Sequence, residues 1–288
     1  MQITRLSAKQ KTVLKWCHMP TVRNQYNSII CDGAVRSGKT VCMILSYIHW
    51  AMRFFDGVTF AICGKTVQSA ERNIITPLQG MQDVTAYYSL SYARSNKLLT
   101  VKNEDTTNYF YVFGGKDEGS AALIQGLTLA GVFFDEVALM PQSFVEQAIA
   151  RTVSTEAARL WFNCNPSTPA HWFYKEWILK KEQKNALHLH FTMQDNPAMT
   201  PRMIQKASEM FSGVFYERYI RGRWVVAEGL IYPMFDEKTH VASELPTNGR
   251  YYISIDYGTY NPFSAGLWCV VGAQAYRINE FYYSGRKN

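Results

Sequence analysis

The 288-residue sequence predicts a mixed α/β fold, with a mostly parallel sheet covered by helices. Two observations predict it. Short apolar runs alternate with helix-length segments from residue 27 to residue 221, the pattern of parallel strands joined by crossover helices. The segment GAVRSGKT (33–40) lies between an apolar strand-length run and a long apolar helix, where a phosphate-binding turn belongs.

The elements follow in order. Residues 27–32 read as a short buried strand and 41–55 (VCMILSYIHWAMRFF) as a long apolar helix. A strand at 58–63 precedes a helix at 66–79, and 98–101 with 109–113 form a hairpin around the polar turn Asn103-Glu104-Asp105. Residues 131–134 (GVFF) are a strand, 141–150 a helix, 160–164 a strand, 170–181 a helix and 187–191 a strand. Helices follow at 201–211 and 213–221. Composition shifts near residue 227 to mixed charge with Pro and Gly, so 228–250 reads as a linker between a first domain (1–227) and a second segment (251–288). The latter opens with YYISIDYG and continues with strands at 265–271 and 273–281. Three strands cannot bury both faces of an open sheet, so 251–288 is expected to be incompletely packed or poorly ordered.

Composition narrows the function. At 47% hydrophobic and 14% aromatic the chain is globular, not disordered. The longest apolar stretch, 41–55, is broken by His49 and Arg53 and is too short to span a bilayer, so no membrane partner is expected. The first ten residues lack the apolar core of a secretory signal, and six cysteines show no paired C-x-x-C, which suits a reducing cytosol. The net charge of +7 is uneven: residues 1–53 carry eight Lys or Arg against Asp32, and the remainder balances at 22 and 22. That local excess suits either a polyanion or a solvated basic face.

GAVRSGKT matches G-x-x-x-x-G-K-[ST]. Gly33 and Gly38 allow backbone N–H groups to face phosphate, and Ser37 completes the turn. Lys39 reaches the β/γ-phosphates and Thr40 offers a hydroxyl to Mg²⁺. GVFFDEVALMP (131–141) supplies the complementary half. Its strand delivers Asp135 to the sheet edge to hold Mg²⁺ through water, and Glu136 can polarise the attacking water. In WFNCNPSTP (161–169), Asn163, Asn165 and Ser167 are either γ-phosphate sensors or a strand end capped by Asn-Pro. Gln10, near the first helix, either reads a base edge or faces solvent.

Together GAVRSGKT, IQGLTLAGVFFDEVALMP (124–141), CNPSTPAHWFY (164–174) and YYISIDYGTYNP (251–262) resemble the large terminase subunit of tailed bacteriophages, particularly the group of defective Bacillus-type (PBSX-like) prophages. The resemblance covers nearly the whole chain. It implies a RecA-like, additional-strand (ASCE) ATPase using ATP and Mg²⁺, which forms a homo-oligomeric ring at the procapsid portal and drives double-stranded DNA inward. It also implies a small-subunit partner and a site of action in the cytoplasm of the bacterial host. Arg36 matches the arginine such loops carry beside the lysine, and Glu136 the catalytic base. No arginine finger has a firm match; Arg151 is the first choice. The family's second domain is an RNase H-like nuclease with two Mg²⁺ or Mn²⁺ ions on clustered carboxylates. Asp256 matches its first acid. Glu280 is the only later carboxylate, so DNA cleavage is not expected of these 288 residues. The alternatives are a helicase-like nucleic-acid ATPase, which needs a second RecA-like lobe, and a nucleotide-gated assembly protein, against which Lys39, Thr40, Asp135 and Glu136 stand.

Overall fold

The computed structural model describes residues 3–226, 240–257 and 263–283. The chain divides into two compact units, Met1–Glu228 and Gly229–Asn288. Of the linker expected over 228–250, residues 228–239 lie outside the described residues.

The first unit opens with helices α1 (Ala8–Lys15) and α2 (Pro20–Gln25). Strand β1 (Ser28–Gly33) then feeds the glycine turn and helix α3 (Lys39–Phe54). After β2 (Thr59–Gly64) come α4 (Val67–Ala70), α5 (Thr76–Gln79) and α6 (Gln82–Thr85). Strands β3 (Ser89–Ala93), β4 (Leu98–Lys102) and β5 (Thr107–Gly114) form a meander. Next are β6 (Gly131–Asp135), α7 (Gln142–Ala150), β7 (Arg159–Asn163), β8 (Ala186–Phe191), α8 (Pro201–Met210) and the single turn α9 (Gly213–Phe215).

The eight strands form one sheet in the order β3-β4-β5-β2-β6-β7-β1-β8. The six from β5 to β8 are parallel, and β3 and β4 are antiparallel at one edge. Parallel strands need cover on both faces, which explains their near-continuous apolar sequences. On one face Ile29, Cys31, Phe60, Ile62, Phe133 and Trp161 pack with α3; on the other Ile30, Ala61, Val132, Phe134 and Phe162 pack with α7. Trp161 is the hub of the first face, with ring centres 5.1 Å from Trp16 and 4.9 Å from both Tyr47 and Trp50. Each such buried side chain contributes on the order of 1.5–3 kcal/mol.

Several elements differ from the sequence reading: the helix at 213–221 is the turn α9 followed by a π turn, Tyr216–Ile220, and α2 was not expected. The helix at 66–79 contains a π turn, Glu71–Ile75, between α4 and α5. The helix at 170–181 is confined to 172–178, ending in a π turn (Tyr174–Ile178); the polar run after it turns back to β8 through the left-handed Asn185. Strand β3 was not expected: its residues are at most half-buried, so its pairing to β4 is not visible as an apolar run.

The second unit is an antiparallel sheet, β11-β10-β9, of β9 (Arg250–Asp256), β10 (Phe263–Val271) and β11 (Gln274–Tyr283). Every residue of β9 is exposed, including Tyr251, Ile253 and Ile255, so this sheet is incompletely covered. No described helix is long and apolar enough to cross a membrane.

Asn108 is fully buried and ties α3 to the sheet. Its Nδ2 donates to the carbonyls of Ala51 (3.2 Å) and Phe55 (2.8 Å), and its Oδ1 accepts the N–H of Val58 (3.0 Å). Asn108→Ala should cost about 2–4 kcal/mol, because it strands buried backbone groups. Urea unfolding followed by tryptophan fluorescence measures it; an unchanged midpoint would show that the amide is dispensable.

Candidate nucleotide site

β1 ends at Gly33, whose φ of +126° and position explain the residue: a Cβ there would lie 1.9 Å from the Phe191 carbonyl oxygen. That closeness comes from the Ala34 N–H, which donates to the same oxygen at 2.8 Å. Gly38, at φ +82°, starts α3, and a Cβ on it would meet Gln10 Nε2 at 2.5 Å. Between them Arg36 takes a left-handed φ of 58°, and its carbonyl accepts from Asn196 Nδ2 at 2.7 Å. The loop is thereby bent around its own interior.

Lys39 fills that interior. Its buried ammonium donates to the carbonyls of Gly33 (3.1 Å) and Ala34 (2.7 Å), to Ser37 Oγ (3.3 Å) and to Asn165 Oδ1 (3.2 Å). Burial lowers its pKa, while the nearby charges of Glu136 and Asp32 oppose the shift.

β6 and β7 run side by side with Asp135 and Asn163 in register. Asn163 Nδ2 donates to Asp135 Oδ1 (2.7 Å) and contacts Thr40 Oγ1 (2.9 Å), while its Oδ1 is buried without a partner. Asn73, inside the π turn after β2, donates to the other oxygen of Asp135 at 3.3 Å. Burial pushes the Asp135 carboxyl above its ordinary value, against those two amides and the charge of Lys39. Glu136 sits in left-handed backbone (φ 57°, ψ 49°), a strain on the order of 1–3 kcal/mol. Its Oε1 accepts Asn165 Nδ2 at 2.8 Å and its Oε2 the Asn165 N–H at 3.3 Å. Burial, and then the charge of Asp135, raise its pKa to about 6. Asn165 therefore touches both Lys39 and Glu136.

Gln10 is buried, not solvent-facing. It closes a capping box with Ser7 at the start of α1 and, with Arg5, Leu6, Gly38, Val41 and Asn196, lines a cavity of about 280 Å³ beside the glycine turn. Arg36 is exposed at the loop's mouth. Of Ser167, the carbonyl accepts the Val225 N–H at 3.3 Å.

Arg151 lies elsewhere. Its carbonyl accepts the Leu129 N–H at 2.9 Å, at the start of β6. Asp135 is six residues further along, roughly 20 Å at the rise of a strand. Arg151 therefore does not reach the nucleotide site of its own subunit. Asp256 is exposed at the end of β9, and Glu280, two strands away on β11, pairs with Arg277 at 2.9 Å. Among the described residues no three His, Cys, Asp or Glu converge on a metal position.

Two groups were not anticipated from the sequence. Asn73 is one, since only the π turn aims it at Asp135. The other surrounds Asp32, just before Gly33. Asp32 accepts from Trp224 Nε1 (2.7 Å) and bonds His188 Nε2 (2.8 Å) and His190 Nδ1 (3.1 Å). His190 Nε2 also reaches the Arg221 carbonyl (3.3 Å), so both ring nitrogens face acceptors. Gly222 packs on the loop too: a Cβ there would lie 2.5 Å from the Ala34 nitrogen. Burial alone would raise the Asp32 carboxyl, but the two histidines and Trp224 hold it far below the carboxylate range. The bond to Asp32 raises the pKa of His190.

The depressed carboxyl stabilises the fold above its ordinary value of 3.8, and that contribution is lost as pH falls through the folded value. The raised histidine stabilises below its ordinary 6.5, and its contribution is lost as pH rises through its folded value. Asp32→Asn should therefore cost about 2–4 kcal/mol. The wild-type advantage should peak between about pH 4 and 6.5 and narrow on both sides. Urea unfolding across pH 3–8 tests this; a pH-independent difference would remove the charge from the explanation.

The family model described as "Terminase large subunit, T4likevirus-type, N-terminal" matches residues 30–239. The large terminase of a thermophilic bacteriophage is 48% identical, with a TM-score of 0.75, over 98% of this chain and 69% of that one. The same terminase in complex with ATP-gamma-S is 46% identical over 98% and 68%, with a TM-score of 0.72. The HK97 bacteriophage large terminase, 11% identical over 98% and 64% with a TM-score of 0.60, shares the fold. No curated protein matches the chain. The eight-stranded sheet, the glycine turn around Lys39 and the matched span together place the chain in the T4likevirus-type terminase large subunit family.

Proposed function

We propose that the first unit is the ATP-hydrolysing engine of a motor that packs double-stranded viral DNA into a procapsid. The observation that carries this reading is the meeting of Lys39, Thr40, Asp135 and Glu136 at one end of the parallel strands, with Asn165 joining the lysine to the glutamate. The related terminase binds ATP-gamma-S, which supports ATP as the substrate here. The triphosphate enters where the Lys39 ammonium now bonds the loop's own oxygens, and the N–H groups at the start of α3 face it. The cavity beside Gln10 takes the base, with the free Nε2 of Gln10 as a donor to its edge.

Hard oxygen donors suit Mg²⁺, and Thr40 and Asp135 supply them; the partnerless Asn163 Oδ1 marks a site with unmet bonding capacity. When bound there the ion supplies charge neutralisation between the phosphates. Glu136 takes the proton of the attacking water, and its raised pKa keeps it a competent base near neutrality. Asn165 holds both Glu136 oxygens while Lys39 holds Asn165, so displacement of Lys39 onto phosphate loosens the restraint on the base. Transition-state charge is met by Arg36 at the loop's mouth or by an arginine from a neighbouring subunit of a ring, since Arg151 of the same subunit is out of reach. The portal protein and a small terminase subunit are the further partners this reading assigns, in the host cytoplasm. Asp256 is assigned to a nuclease metal site that these residues do not complete.

Lys39→Ala should abolish ATP binding. Glu136→Gln should bind ATP and turn over ~10²–10⁴-fold more slowly. Wild-type kcat/KM should fall about tenfold per unit as pH drops below about 6, and Glu136→Gln should lose that acid limb. Steady-state ATPase over pH 5–9 measures all three; normal turnover by either variant would defeat the assignment.

A further inference from the structure

The far end of the first unit holds a second polar site. Helix α3 ends there, roughly 22 Å from Lys39 at the rise of a helix, and β7 begins there. The Arg23 guanidinium lies 4.9 Å from the centre of the Phe54 ring, and that of Arg53 lies 5.9 Å from the same ring. Arg159, the first residue of β7, donates through Nη1 to the Ala158 carbonyl (2.7 Å) and through Nη2 to that of Arg23 (3.2 Å). Its Nε is buried without a partner. His18 stacks on Phe54 with ring centres 5.7 Å apart and meets His49 at 4.8 Å. A cavity of about 390 Å³ opens between Arg23, Trp50, Phe54 and Arg159, with Glu156 also lining it.

Arg23, Arg53 and His18 thus meet one ring, with His49 against His18 and Arg159 beside Arg23. Among the described residues none of the three arginines has a carboxylate within 4 Å, Glu156 included. An ordinary basic surface spreads its charges into water or pairs them. Here two guanidiniums are half-buried beside each other, which costs free energy without a counter-charge. The histidines register the same field. Burial, then His49, Arg53 and Arg23, push the His18 pKa down to about 4, and burial, then Arg53, lowers that of His49. Burial and Arg23 likewise lower Arg159. The missing component is an anion.

We propose that this cavity seats a phosphate oxyanion, with Arg23 and Arg159 as its principal donors and Arg53 at the rim. Guanidinium groups match phosphate in geometry, and each Nη of Arg159 carries a second N–H beyond the one it gives to a carbonyl. The phosphate belongs to the backbone of double-stranded DNA. Of the eight cations in residues 1–53, Lys9 pairs with Asp195 and Lys39 and Arg36 belong to the glycine turn, whereas Arg23 and Arg53 have no carboxylate partner among the described residues and leave this end of the unit positive. The seat stands on its own geometry; DNA as the source of the phosphate rests on the packaging reading.

The first test is a histidine Cε1–H titration by NMR, on the wild type, with inorganic phosphate, with a short DNA duplex, and with chloride at matched ionic strength. An anion in the seat should raise the midpoints of His18 and His49; chloride should not. The second is duplex binding as a function of salt for Arg23→Gln combined with Arg53→Gln. Affinity should fall about tenfold or more, and the slope of log K against log salt should shrink by about one per lost contact. ATPase without DNA should be unchanged in that variant, with thermal melts confirming its fold. Midpoints that respond to phosphate but not to duplex would overturn the DNA source and leave the anion seat. Midpoints that respond to neither would overturn the proposal. A wild type without Lys39-dependent ATPase would defeat the engine reading and leave the histidine result standing.

Discussion

A buried ammonium with no carboxylate in direct contact organises the first unit. Lys39 is satisfied by four neutral acceptors, three from its own loop and one from Asn165. Such a cation is tolerable only where every donor finds an oxygen and carboxylates stand nearby. That requirement fixes much else. The Gly33 and Ala34 carbonyls must turn inward, so β1 must end in a conformation open to glycine and press against Phe191. Helix α3 must start at Lys39, and β7 must end close enough for Asn165 to arrive. Three of the four oxygens that hold the ammonium belong to the loop itself, so the turn and its lysine form one unit.

Amides, not charges, connect the parts. Asn163 joins Thr40 to Asp135, Asn165 joins Lys39 to Glu136, and Asn73 reaches Asp135 from the helix after β2. Asn165 uses both ends of its amide, accepting from Lys39 and donating to Glu136, whereas Asn163 bridges Thr40 and Asp135 through its Nδ2 alone. Asn163 and Asn165 both stand at the end of β7, and Asn73 lies in the π turn after β2. A shift at the end of β7 is therefore felt by Thr40, Asp135 and Glu136 together. On the other face of β1, Asp32 binds Trp224 and two histidines of β8, and the Arg221 carbonyl closes the ring. The segment at the end of the first unit is gripped by the strand that carries the phosphate loop.

Much of this was legible in residue order. Gly33 to Thr40 announced the loop by spacing, and the apolar run before Asp135-Glu136 announced a strand that delivers them to the same edge. Family membership, suspected from four short segments, holds over the matched span. An arginine after a helix carries no record of which end of the sheet that helix reaches; α7 runs back from Asp135 and its end lies by Leu129, so Arg151 is remote from the site of its own chain, which leaves only its trans-acting alternative open. Gln10 looked like any helical glutamine, and only the approach of Gly38 explains its burial. Asn73 was hidden by a π turn, which a period of 3.6 residues conceals.

The sequence by itself determined the fold class, the loop and its paired acids, because each is written in local spacing, apolar periodicity and glycine placement. Tertiary structure alone decided which asparagine meets which acid, that Asp32 is claimed by His188, His190 and Trp224, and that Arg23 lies over Phe54 while its carbonyl accepts from Arg159. Those pairings join residues up to 192 positions apart. They depend on strand order and on which face of the sheet each side chain occupies, and neither is encoded in any local stretch of residues.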